Sequence, residues 1–327
     1  MTALVNLIVA LGMLYVVPAG LRLIDPVRFG RTARLWPLFA APGAVCLWLP
    51  RGAPATALAA VYAAATLALA ARAVVPAVRT AAPAVRALRP AVRGAPGRGP
   101  GPAGVAVLTA LVAPSVAGTA LVAERAGHRL FGFDLDILAL TVPHFHFAGF
   151  TAALVAGLVC RARADGALAR WAAYSVPAGT ALVLLGYFID DWAELVGAVT
   201  LTGGMWAVAL LTWRDLRPGA GARDRVTGAL LGCSAVVLVA TMLLALWWAL
   251  GEATGIVHPT LTWMAATHGL GNALGFGLCS LLAWRRLTAA AAAAAPGAGA
   301  AAAEPVAAEP VAAAPVTVLP DRTEIPA

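Results

Sequence analysis

Five histidines occur in 327 residues, and two stand together in "TVPHFHFAGF" (141–150), inside a chain built mostly of Ala, Leu, Val and Gly. An imidazole exchanges protons near neutral pH and binds divalent metals, so His144 and His146 are candidates for base, acid or ligand. On a regular helix, positions two apart point about 200° away from each other. Both rings can therefore hold one ion only where a helix starts at Pro143. If a helix runs through Pro143 instead, the carbonyl of Ala139 loses its donor and offers the histidines a polar neighbour. A second constellation lies in "ATHGLGNALGF" (266–276). His268 and Asn272 are four apart and share a helix face, while Gly271 and Gly275 let another helix come close. A third is the turn that carries Asp190, Asp191 and Glu194, which could supply a carboxylic acid. The expected catalytic set is His144, His146, His268, Asn272, Asp190, Asp191 and Glu194. The same three histidines are the candidate metal ligands, with a divalent ion as the cofactor they would imply. Neither an HExxH nor a GxSxG signature is present.

These residues must be positioned by membrane helices. Hydrophobic residues make up 61% of the chain and charged ones 12%, against about 25% charged in a soluble domain. A span needs about 20 apolar residues, and the sequence predicts nine: 1–21, 35–49, 53–71, 104–123, 137–160, 168–189, 193–213, 226–250 and 260–284. The second is short, is interrupted by Pro37 and Pro42, and could be re-entrant. All 23 basic residues are arginine, and alternate connections carry nineteen and three of them, with Arg322 in the tail. That asymmetry predicts an all-α polytopic bundle with the N-terminus outside and the C-terminus inside. No basic residue precedes the first apolar segment, the reverse of a signal peptide. All five histidines then fall towards the outer face. His144 stands seventeen residues before Arg161, and His268 seventeen before Arg285. Both should lie about 26 Å above the inner boundary, at one level.

The net charge of +8 does not imply nucleic acid, because no basic stretch is interleaved with aromatics. Cys46, Cys160, Cys233 and Cys279 each stand alone in an apolar run and read as small buried residues. The expected domains are a membrane helical domain, 1–287, with a basic Pro/Gly-rich cytoplasmic loop at 76–101, and a disordered Ala/Pro-rich tail, 288–327.

The residues "LTVPHFHFAGF" (140–150) and "ATHGLGNALGF" (266–276) resemble the YndJ-like family of bacterial membrane proteins. The resemblance singles out His144, His146, Gly149, His268, Gly269 and Asn272 and implies a multi-pass protein of the bacterial plasma membrane. It supplies no mechanism. The residues themselves point first to an intramembrane enzyme working on an apolar or lipid-like substrate, by metal-assisted hydrolysis or by acid-initiated rearrangement of an isoprenoid. The alternative is a transporter or permease, in a proton-coupled form; a third reading is a sensor or assembly factor. The expected partners are the lipid bilayer and a small apolar molecule, without nucleic acid.

Overall fold

A computed structural model describes residues 2–86, 100–163 and 166–294. Among these every long regular element is a helix, with nine long helical runs. We label them α1 (Ala3–Ile24), α2 (Pro26–Cys46), α3 (Ala53–Arg86), α4 (Pro102–Arg125), α5 (Leu135–Ala162), α6 (Ala167–Gly186), α7 (Asp191–Arg223), α8 (Arg225–Thr254) and α9 (261–288). Seven of them, α1 and α3 to α8, are long and apolar enough to cross a membrane. In a bilayer the backbone must satisfy its own hydrogen bonds, which is why so apolar a sequence settles on helices alone. Met1–Thr288 forms one compact unit. In the second, Ala289–Ala327, residues 289–293 are helical. Most of the predicted tail (295–327) and the middle of the predicted basic loop (87–99) lie outside the described residues.

The helix starts are written in the sequence as aspartates and threonines. Asp25 caps α2, accepting from the amides of Val27 and Arg28 at 3.0 and 2.9 Å. Asp190 caps α7 through the amide of Ala193 at 2.7 Å, and Asp224 caps α8 through that of Val226 at 3.0 Å. Each oxygen satisfies an amide that has no partner inside its helix. The Thr227 hydroxyl and the Arg286 guanidinium also bind Asp224 and hold its carboxyl down at about 2. Gly255, at φ 73°, ends α8 in the left-handed conformation that glycine adopts without strain.

Two expectations change. The interrupted segment 35–49 is an unbroken helix, Pro26–Cys46, that starts nine residues earlier and runs through both prolines. A packed interior explains the tolerance, because neighbouring groups can satisfy carbonyls that prolines leave free. One such case is visible in α1. There the Val17 amide bonds five residues back to Gly12, and Pro18 has no amide to offer Met13. The Trp36 indole of α2 fills the vacancy, donating to the Met13 carbonyl at 3.0 Å. The cysteines also differ from expectation. Cys46 and Cys160 are buried, but Cys233 is exposed, and its sulfur lies 3.9 Å from that of half-buried Cys279.

The connections gather into two groups. At one end Arg28 reaches the Arg72 carbonyl, Arg161 reaches that of Ile24, and Arg286 pairs with Asp224. At the other, Asn6 donates to Leu47, Arg51 pairs with Glu124, and Phe131 packs on Phe188. Small residues let the helices approach closely. Gly179 and Gly186 of α6 lie against Leu201 and Glu194 of α7, so the first turn of α7 is held by backbone packing.

Candidate functional site

A cavity of about 520 Å³ lies among α1 and α4 to α9, and its walls are mainly apolar. Its size is that of an ordinary small-molecule site. It reaches from the aromatic turns at 130–133 and 187–188 down to Met205, Leu238 and Phe276. The threonine hydroxyls on its wall are spent locally: Thr119 donates to the Ser115 carbonyl and Thr141 to that of Ile137, each at 2.8 Å. The polar groups left to act on a guest are few.

His144, His268, Asn272 and Glu194 line this cavity; His146, Asp190 and Asp191 do not. The difference between the two neighbouring histidines follows from the helix. Pro143 lies within α5, which continues as a wide turn with five-residue hydrogen-bond spacing from Phe145 to Thr151. His144 thus faces inward and His146 faces α1 and α3. Among the described residues no hydrogen bond reaches the His144 ring, whose nearest aromatic neighbour is Phe145 at 5.7 Å.

His146 is fully buried and fully partnered. Its Nδ1 lies 2.7 Å from the Val142 carbonyl. A carbonyl can only accept, so Nδ1 carries the proton and Nε2 is the acceptor. The Tyr62 hydroxyl donates to that Nε2 at 2.5 Å, and the rings stack at 5.8 Å. Gly12 makes room: a Cβ there would come within 2.9 Å of the imidazole. Tyr62 could not be picked out from the sequence, because it is one tyrosine in an apolar run. Tyr62→Phe is expected to leave the buried Nε2 unsatisfied and to lower stability by about 1–2 kcal/mol. Denaturation of the purified protein in mild detergent measures this.

His268 is held in a ring of three hydrogen bonds. Its Nδ1 donates to the Thr241 carbonyl at 2.7 Å, the Asn272 amide donates to its Nε2 at 3.1 Å, and the Thr241 hydroxyl donates to the Asn272 oxygen at 2.8 Å. The ring requires α8 close to α9, and Gly271 and Gly275 permit this by packing on Thr241 and Val237. The backbone of α9 widens here too, over Ala265–Gly269 and Gly271–Leu278. Such turns occur often at functional sites. Asn272 keeps one amide hydrogen free for a guest, since the other is used on His268. Thr241 is a second residue without a sequence signal, a lone hydroxyl in "ATMLLALWWAL".

The acids divide in the same way. Asp190 is a helix cap and Asp191 is exposed. Glu194, three residues on, lines the cavity, and among the described residues its carboxyl makes no hydrogen bond or ion pair. Glu252 and His258 pair at 3.1 Å, and His258 packs edge-on against Trp248 at 5.0 Å.

A metal centre needs at least three protein ligands, and among the described residues no three His, Cys, Asp or Glu side chains converge. With His146 turned away and Nε2 of His268 engaged, these donors do not fit a metal cage. Imidazole and carboxyl groups on the wall of a mainly apolar cavity are groups that can exchange protons. No curated protein and no solved structure matches the chain. The model of the YndJ-like protein family matches residues 7–276, which takes in both histidine motifs and every cavity-lining residue except Val5. On that match, the chain belongs to the YndJ-like protein family.

Proposed function

We propose that this protein is an intramembrane enzyme that moves a proton on an apolar, lipid-like substrate bound in the cavity. The observation that carries the reading is the unpartnered imidazole of His144 on an apolar wall. Polar groups at such depth are costly and usually serve a function. His144 is the acid or base. The free amide hydrogen of Asn272 steadies charge that develops on the substrate, and His268, locked by Thr241, holds Asn272 in place. Glu194 orients the polar end of the substrate at the mouth. Isomerisation or acid-initiated rearrangement of an isoprenoid fits this set, since both need proton exchange in a dry site.

The arginine asymmetry supports nine spans in a bacterial plasma membrane with the mouth outward. A second reading, a carrier, is favoured by the widened turns of α5 and α9, because irregular backbone is common at transporter sites. The test is to incubate the full-length protein in nanodiscs with a membrane lipid extract and to follow the lipids by chromatographic retention together with mass. A species consumed and replaced by one of equal mass and different retention is the expected result. An unchanged lipid profile, together with uptake of a solute into sealed proteoliposomes, would replace the enzyme with the carrier.

A further inference from the structure

Glu194 is the one charged side chain among the described residues that line the cavity. It is packed against Gly186 at the start of α7 and has no cation beside it. The guanidinium of Arg129, four residues before Phe133, is bound to Asp134 at 2.6 Å. Asp191 and Glu252 add to the negative field at Glu194. Around this carboxyl the mouth is aromatic, with Phe133, Tyr187, Phe188 and Trp248 on the wall. Phe133 meets Tyr187 and Phe188 edge-on at 6.2 and 5.3 Å. Aromatic faces attract cations, most strongly where water is excluded, and quaternary ammonium groups are bound in this way. An anionic head would meet like charge here. An uncharged one would give the carboxyl no counter-ion, and only a cationic head gains from its ionised form. Below the mouth, Ala198, Leu201 and Met205 continue the face of α7 that begins at Glu194. That wall is about 16 Å long.

We infer that the cavity takes a lipophilic cation: an amphiphile whose single amine or quaternary ammonium head sits against Glu194 inside the aromatic mouth, with its tail along α7 towards Met205. The inference rests on the cavity being the substrate site, and it narrows that substrate to a lipid or isoprenoid that carries an amine or quaternary ammonium head.

Binding of isotope-labelled dodecyltrimethylammonium to the full-length protein in nanodiscs, corrected for empty nanodiscs, tests it. Saturable binding to one site per chain is expected. Dodecanoate and dodecanol at equal membrane loading should displace little of it. Glu194→Gln should weaken binding about tenfold or more, because a charge-assisted contact is lost. Tyr187→Leu, at a half-exposed rim position, should weaken it less and provides the check if Glu194→Gln fails to fold. Equal displacement by dodecanol or dodecanoate, or full affinity in both variants, overturns the inference. The two readings fail separately. Lipid conversion without cation selectivity sinks only the ligand class, and saturable cation binding without any conversion sinks only the enzyme.

Discussion

Glu124→Ala is expected to lower the unfolding free energy by about 3–5 kcal/mol, the largest loss from any single substitution considered. Glu124 is 1% exposed and Arg125 is 9% exposed. The Glu124 carboxylate receives both Nε and Nη2 of Arg125, and Arg51 Nε at 2.9 Å. Arg125 reaches on to the carbonyls of Cys46 and Leu49, at 3.4 and 3.3 Å. The cluster therefore closes the end of α2, the turn after it and the end of α4 into one unit. Alanine would leave a buried guanidinium without its counter-ion, and that uncompensated charge is the main cost. Glu124→Gln keeps the shape and part of the hydrogen bonding, so it should cost clearly less. Replacing Glu124 and Arg125 together by leucine should recover much of the loss, since an apolar pair carries no stranded charge. Denaturation of the three variants in mixed micelles gives the comparison. Equal stability of Glu124→Ala and the wild type would show that the cluster is solvated.

His144→Ala is expected to reduce substrate conversion by about 10²–10⁴-fold, the usual contribution of a general acid or base. Because no described residue hydrogen-bonds its ring, the unfolding midpoint should stay near that of the wild type. His146→Ala should do the reverse. It empties a packed site between α1 and α3, strands the Tyr62 hydroxyl, and should cost about 2–5 kcal/mol as a large-to-small core substitution. Side-by-side assays of rate and stability on the two variants check the assignment. Conversion at the wild-type rate by a folded His144→Ala protein would remove His144 from the reaction.

Several features of this molecule are visible in its residues alone. A chain so apolar cannot cover itself with polar surface, so helices that satisfy their own backbones are forced. Arginines mark one end of the bundle, and Asp25, Asp190 and Asp224 mark helix starts because their short side chains reach free amides. The placement of Gly271 and Gly275 announces the close approach of α8 to α9. Long-range pairings carry no such mark. The Tyr62 hydroxyl meets His146 across eighty-four residues, and Arg51 meets Glu124 across seventy-three. The interior run of α2 was obscured by Pro37 and Pro42, whose cost depends on what surrounds them.

The class of the fold follows from the residues alone, because hydropathy and charge act locally and additively along the chain. The residues also set the spacing that sends His144 and His146 to opposite sides of one helix. Only the tertiary structure decided which side is the cavity, which imidazole is spent on a tyrosine, and that Glu194 alone of its acidic turn looks inward. Those outcomes depend on which helices lie beside α5 and α7, a matter of packing between residues far apart in the chain.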